Sequence, residues 1–207
     1  MLAPRFLATP TSTNHASSAQ TGARVSTERL ELRCLGEAFL SATIEGHAKR
    51  AEALLDCRIP RAWFAEALLA SLNLEELRAD PTALPWLVRG VVHRATNEMV
   101  GHIGFHSRPA PASLHQPPAS VELGYEIFEE HRRQGYAEES IRGLLSWAHR
   151  THHQSGFLVA VVPSNEPSRS LAKKLGFVPA GRRKREASEE DLFELQMDPF
   201  GRPAHKR

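Results

Sequence analysis

The chain has 207 residues, with 26 Lys and Arg, 24 Asp and Glu, and a formal net charge of +2. This length suits one domain with a sizeable core, and the nearly balanced charge gives no reason to expect a nucleic-acid partner. Cys34 and Cys57 form neither a Cys-x-x-Cys motif nor a disulfide framework, which favours a reducing, cytoplasmic location. No apolar run reaches the roughly 18 residues that a membrane span requires, so we expect a soluble protein without a membrane partner.

Residues 1–25 differ in composition from the rest of the chain. They are rich in Ser, Thr, Ala and Pro and contain no acidic residue, which predicts a disordered leader. The composition is also loosely that of an organelle transit peptide, although two arginines are few for such a segment. We therefore expect a folded domain at residues 26–198, followed by a basic tail at residues 199–207.

Hydrophobic periodicity predicts the elements of the first half. The alternation in TERLELRCL indicates a strand at residues 27–35. Two windows with helical spacing follow, residues 37–55 and 60–79, and Pro60 or Arg61 opens the second. The runs WLVRGVVHR and MVGHIGFHS flank a turn and predict a hairpin.

The second half begins with a proline-rich loop at residues 108–120, which either meets a substrate or partner or is a solvated excursion. Strands and helices then alternate. The predicted strands are residues 121–128, 156–162, 177–182 and 191–197, and the helices run from Ala137 to Arg150 and from Pro163 or Asn165 to Leu175. This alternation indicates a mixed α/β domain.

The turn RRQGYA at residues 132–137 lies between a predicted strand and a predicted helix. The first N–H groups of a helix have no internal partner, and the helix dipole is positive there, so such a turn can bind phosphate. Gly135 would let the backbone approach an anion, and Arg132 and Arg133 would add positive charge. An ordinary surface turn remains the alternative for this motif alone.

Four segments together resemble the GNAT superfamily of acetyl-CoA-dependent N-acetyltransferases, in the branch of the RimJ/RimL-like enzymes. They are TERLELR, VGHIGF, VELGYEIFEEHRRQGYAEESIRGLLSWA and VVPSNEPSRSLAKKLGF. The resemblance implies an α/β (α+β) fold with a twisted, mostly antiparallel mixed sheet flanked by helices. Its fourth and fifth strands splay apart to admit the pantetheine arm of acetyl-CoA.

The resemblance also implies the cofactor contacts. It makes Arg132, Arg133, Gln134, Gly135, Tyr136 and Ala137 the pyrophosphate loop. Ile127 and Phe128 would offer their backbone to the pantetheine, and N–H groups near Phe128 would polarise the thioester carbonyl. Asn165 corresponds to the residue that opens the last cofactor-contacting helix, and its residue type also suits a helix N-cap.

Glu122 is the catalytic base that the resemblance implies. It shares one face of its strand with Gly124 and Glu126, and partial burial is expected to raise its pKa toward neutrality. Glu126 is the next candidate. The alternative is that this face of the strand is simply in water.

The departing thiolate needs a proton donor. Many members of the superfamily place a tyrosine seven residues after the asparagine, but this chain has Ala172 there. RimL-like relatives use the serine of Asn-x-x-Ser, which here is Ser168, one helical turn before Ala172. Ser168 is therefore expected to contact the cofactor and to act in catalysis, or else to be an ordinary first-turn helix residue.

The resulting prediction is transfer of an acetyl group from acetyl-CoA to a primary amine by direct attack, with no metal. The histidines near residue 150 are explained by the helix end, and the basic runs at residues 182–185 and 202–207 by solvated loops. Those runs could instead hold the 3′-phosphate of CoA, an acidic protein or RNA.

The acceptor could be a protein N-terminus, a polyamine, an aminoglycoside-like antibiotic, an amino acid or an aminoacyl-tRNA, and a homodimer remains open. The alternative function is a non-catalytic acyl-CoA-binding module that engages a protein or RNA.

Overall fold

The computed structural model describes residues 24–109, 120–185 and 188–204. Most of the expected leader, most of the proline-rich loop and the end of the basic tail lie outside these ranges. The strands are β1 (Val25–Ser26), β2 (Leu30–Cys34), β3 (Arg89–His93), β4 (Glu98–Phe105), β5 (Val121–Ile127), β6 (Gly156–Val161), β7 (Val178–Arg185) and β8 (Ser188–Gln196). The helices are α1 (Glu37–Ile44), α2 (Ala48–Leu55), α3 (Arg61–Phe64), α4 (Ala67–Ala79), α5 (Tyr136–His152) and α6 (Glu166–Lys174).

The strands form one mostly antiparallel sheet in the order β1-β2-β3-β4-β5-β6-β8-β7. Neighbours pair antiparallel except β5 and β6, which run parallel. The predicted fold is therefore confirmed. The structure has one strand, β1, that was not predicted, so every later strand number rises by one. The strands predicted as the fourth and fifth are therefore β5 and β6.

Two hydrophobic clusters hold helices against the sheet. One joins α5 to the strands through buried residues such as Leu144, Ile103 and Phe157. The other contains buried residues of α1 to α4, such as Leu40 and Trp63, together with Met99 of β4. Each cluster removes a large apolar area from water, which is the main stabilising contribution to folding.

Both long predicted helices in the first half are interrupted. Gly46 has a φ of +71° and separates α1 from α2, a conformation that costs little only for glycine. In the second window, Ala65 and Glu66 separate α3 from α4, and Glu66 becomes the residue that precedes α4. The apolar spacing therefore predicts helical segments in the right places but does not predict where they break.

The basic run at residues 182–185 was predicted to be a solvated loop, and this is wrong. It lies in β7 and pairs with the acidic end of β8, where Arg183 is opposite Glu190 and Arg182 is opposite Asp191. Arg182 and Arg183 form ion pairs with these acidic residues. Opposite charges on facing strand positions stabilise a hairpin.

Residues after β8 fold back onto it. Met197 pairs with Pro203, and the Ala204 N–H donates to the Gln196 carbonyl at 2.7 Å. In the described ranges, no helix has the length and hydrophobicity needed to cross a lipid bilayer.

Candidate active site

The turn between β5 and α5 has the backbone of an anion site. Gly135 is the N-cap of α5 with a φ of +83°, and Arg133 also has a positive φ, +61°. Among the described residues, no side chain caps this end of α5, so the first N–H groups of the helix are available to a ligand. The dipole of the 17-residue helix is positive at the same point. The turn therefore has the geometry that phosphate binding requires.

The two arginines of the turn are engaged differently. Arg132 Nε donates to the Ile127 carbonyl at 2.9 Å, and its Nη2 lies 3.2 Å from Glu126. Arg133 is exposed and has no hydrogen bond or ion pair with any other residue in the described part of the chain. Arg133 is therefore the cation more readily offered to a phosphate.

Arg29 braces the turn from the beginning of the domain, a role that sequence reasoning missed. Its Nη1 donates to the Gln134 carbonyl at 3.0 Å, and its Nε donates to Glu139 at 2.7 Å. Its guanidinium also lies 4.8 Å from the centroid of the buried Tyr136 ring. Because 105 residues separate Arg29 from Gln134, no local motif could have indicated this contact.

A gap opens between β5 and β6. Their pairing consists of Val121 with Phe157 and Glu122 with Leu158, although both strands continue further. The Phe128 N–H donates to Val100, and the Glu122 carbonyl accepts from His106, so the even-numbered residues of β5 bond to β4. By the alternation of a strand, the N–H and C=O groups of Tyr125 and Ile127 then face the gap.

This hydrogen bonding corrects the prediction for Phe128. Its N–H donates to the Val100 carbonyl at 3.0 Å, and its carbonyl accepts from His131 at 2.8 Å. Both backbone groups are therefore used within the protein. Ile127 and Tyr125 are the residues of β5 whose backbone a ligand in the gap can reach.

Ser168 lies at the gap on α6. The Asn165 side chain accepts a hydrogen bond from the Ser168 N–H at 3.2 Å, so Asn165 is the N-cap that its residue type predicts. The Ser168 hydroxyl is 2.8 Å from the phenol oxygen of Tyr125. Ala172 is buried in the core. The hydroxyl nearest to Ser168 is therefore that of Tyr125 on β5, a contact that no local motif could indicate because 43 residues separate the two.

Glu122 does not have the raised pKa that was predicted. Arg183 donates to both of its carboxylate oxygens at 2.7 Å, and His106 Nδ1 lies 3.3 Å from Oε1. These hydrogen bonds from Arg183 and His106 lower the pKa of Glu122 to about 2. Glu122 stays ionised at neutral pH, and a carboxylate so strongly stabilised is a poor proton acceptor.

A cavity of about 340 Å³ lies between α4 and the sheet, on the face that carries Glu122. Gly104 and Gly124 are opposite each other on β4 and β5, and both line the cavity. The half-exposed His106 lines the cavity, with its ring directly over Gly124. His106 was not singled out from the sequence. Its position beside Glu122 follows from strand pairing alone.

The comparisons with known proteins agree with this geometry. A model described as an acetyltransferase (GNAT) domain matches residues 42–178. This match covers more than half of the chain, so the chain belongs to the GNAT acetyltransferase family.

One curated relative is the uncharacterized N-acetyltransferase YoaA of Bacillus subtilis, 37% identical over 92 residues. That alignment covers 44% of this chain and 49% of YoaA, so the chain spans about half the length of the curated relatives it matches.

Solved structures share the fold at low identity. The ribosomal-protein-S5-alanine acetyltransferase of Vibrio fischeri is 18% identical with a TM-score of 0.58, covering 84% of this chain and 96% of that one. The microcin C7 self-immunity acetyltransferase MccE, solved with acetyl-CoA and AMP, is 10% identical with a TM-score of 0.55, covering 83% and 94%. The resemblance to the RimJ/RimL-like branch is thus supported at the level of the fold.

Proposed function

We propose that the protein transfers the acetyl group of acetyl-CoA to a primary amine, on a protein N-terminus or a small molecule. The observation that carries this proposal is the uncapped N-terminus of α5 beside the gap between β5 and β6. A turn suited to phosphate and a strand edge whose Tyr125 and Ile127 N–H groups face the gap suit the two ends of a CoA arm.

Acetyl-CoA binding uses the turn and the gap together. The N–H groups at Gly135, Tyr136 and Ala137 bind the pyrophosphate, and Arg133 adds a charge-assisted hydrogen bond. The pantetheine lies along Ile127 and Tyr125 as an additional strand. Arg132 holds the turn to the end of β5 through its bond to the Ile127 carbonyl.

The amine attacks the thioester carbonyl directly, so that a C–N bond forms and the C–S bond breaks. A cavity-facing group must accept the proton that the amine loses. We assign this step to His106 Nε2, since histidine is the most common general base. The pKa of Glu122 is too low for it to accept the proton itself. Its carboxylate accepts a hydrogen bond from His106 Nδ1 and so orients the ring with Nε2 toward the cavity.

The CoA thiolate must be protonated as it leaves. Ser168 donates its hydroxyl proton to sulfur and recovers a proton from Tyr125, whose phenol oxygen is 2.8 Å away. Burial raises the pKa of Tyr125, so the phenolate that forms is basic enough to take a proton back from water. Ala172 is buried and has no proton to donate, so the proposal assigns the donor role to Ser168 and Tyr125.

A direct test is calorimetric binding of acetyl-CoA, followed by a screen of pooled amines with detection of free thiol. The proposal predicts both binding and amine-dependent thiol release. Binding without thiol release from any amine would favour the non-catalytic acyl-CoA-binding module. Absence of binding would remove the assignment of the turn.

A further inference from the structure

A second group of acceptors lies at the other end of the cavity face, away from His106. Glu66 precedes α4, and His102 on β4 lies directly opposite Glu126 on β5. One ring nitrogen of His102 and one oxygen of each carboxylate all lie within 4.8 Å of one another. The interruption between α3 and α4 is what brings Glu66 to this place.

His102 adds a buried ring nitrogen to the two carboxylates of this cluster. Its side chain is 8% exposed, and its Nε2 is buried with no hydrogen-bond partner among the described residues. The ring packs against Trp63 and Phe128, and this burial lowers the pKa of His102 to about 4, so the ring is neutral. A buried polar group without a partner is costly, which indicates that a polar partner is missing from the site.

The cluster also carries excess negative charge. Burial, and then the charge of Glu126, raise the pKa of Glu66, which is the behaviour of two carboxylates close together. Arg132 pairs with Glu126 at 3.2 Å. In the described part of the chain, no cation pairs with Glu66. One positive charge would therefore neutralise the cluster.

The adjoining cavity is lined largely by apolar side chains. Leu69 and Leu72 of α4 line it together with Val88 and Phe105. The amide of its lining residue Asn73 is engaged by the backbone, and both His102 and His106 also line the cavity. These histidines are four positions apart on one strand face, roughly 13 Å between their Cα atoms. The cavity thus has an apolar wall, and His102 and His106 each offer it a ring nitrogen.

We propose that Glu66, His102 and Glu126 bind a second ammonium group of the acceptor, and that the acceptor is a linear di- or polyamine. This inference rests on the proposed function. An ammonium has three N–H donors for three acceptors. Acceptors no more than 4.8 Å apart can each lie about 2.8 Å from one nitrogen. The apolar wall favours a cation that carries an alkyl chain over a bare metal ion.

Binding of diaminooctane and octylamine to the CoA-bound protein, measured by calorimetry, tests the site without requiring catalysis. The two probes differ only in the second nitrogen. We expect diaminooctane to bind at least about tenfold more tightly, which corresponds to about 1.4 kcal/mol. Glu66→Gln should remove this preference and leave octylamine unchanged. Glu75→Gln, on the exposed side of α4, should behave as wild type, and melting curves check that each variant folds.

Equal affinity of the two amines for the wild-type protein would overturn the inference, as would a preference that survives Glu66→Gln. Stoichiometric Zn²⁺ binding that Glu66→Gln abolishes and that diaminooctane does not displace would also overturn it, in favour of a metal site. Acetyl transfer is measured separately. Transfer to both amines with equal KM leaves the proposed function standing and refutes the second ammonium site. Glu66-dependent diamine binding without transfer to any amine refutes the function and supports the site.

Discussion

Arg183 donates one hydrogen bond to each carboxylate oxygen of Glu122, at 2.7 Å in both cases. The guanidinium is itself held by Glu190 of β8. This arrangement ties the β7–β8 hairpin to β5, and it leaves Glu122 fixed and ionised beside His106. A planar guanidinium is suited to such a two-bond contact, which fixes orientation as well as charge.

His106→Gln should lower kcat by on the order of a hundredfold or more, because a general base typically contributes that much. The rate of this variant should recover as pH rises, since the amine then deprotonates unaided. Glu122→Gln should cost less and should shift the pH–rate profile, because it disturbs the orientation of His106. The exposed His47→Gln is the control. A Glu122→Gln loss larger than that of His106→Gln would instead make Glu122 the base.

Ser168→Ala and Tyr125→Phe should each lower kcat with little change in acetyl-CoA affinity, because the proton is needed mainly in the transition state. The double variant should be no slower than the slower single variant, since the two hydroxyls form one relay. Ser170→Ala, on the exposed side of α6, should have wild-type kinetics. Additive losses in kcat would show that the two hydroxyls act separately.

Gly135→Val should abolish tight CoA binding, because a β-branched residue is strained at a φ of +83°. Arg133→Ala should weaken CoA by about tenfold while affecting dephosphorylated pantetheine little, because it removes one charge-assisted bond to phosphate. Calorimetry of both ligands measures this. Equal loss for CoA and pantetheine would place Arg133 away from the phosphates.

Gly124→Ala and Gly104→Ala form a matched pair. A Cβ on Gly124 would lie 2.9 Å from His106 Nε2, the end of a side chain that can move. We expect a lower kcat with little change in Tm. A Cβ on Gly104 would lie 2.7 Å from the Leu87 carbonyl oxygen and from the Val88 Cα. These atoms are backbone and cannot move aside easily, so the free energy of unfolding of this variant should fall by about 2 kcal/mol, as is typical of overpacking. Thermal melting and steady-state kinetics of both variants decide between these outcomes.

Stability should fall in acid in two stages. The pKa of buried His102 is lowered from 6.5 to about 4, so the unfolded chain takes up that proton first as pH drops. The contribution of His102 to the free energy of unfolding is fully present above its unfolded pKa of 6.5, and it is lost as pH falls toward about 4. The pKa of Glu122 is lowered from 4.5 to about 2, which extends the loss to lower pH. Each group contributes at most about 3 kcal/mol.

Urea unfolding at a series of pH values between about pH 7 and about pH 4 measures the first stage. His102→Gln should flatten the dependence in this range, and the exposed His47→Gln should leave it unchanged. An unaltered slope in a folded His102→Gln variant would show that another group is responsible.

The sequence by itself determined the order of the elements, the turn before α5 and the cap of α6. These features are local. Gly135 is the residue that tolerates a positive φ at the start of a helix, and Asn165 caps its own helix three residues before Ser168. The apolar spacing fixed which segments could be helices or strands, although Gly46 and Glu66 show that it did not fix where they break.

Only the tertiary structure decided the chemistry of the cavity face. Glu122 and Arg183 are 61 residues apart, and their contact turns an expected base into a fixed anion. The Tyr125 hydroxyl on β5 meets Ser168 on α6 across 43 residues of sequence, and Glu66 meets His102 because α4 begins where α3 ends. The pKa of a side chain depends on burial and on charges within a few ångströms. Those neighbours come from distant parts of the chain, so periodicity and local motifs could not have predicted them.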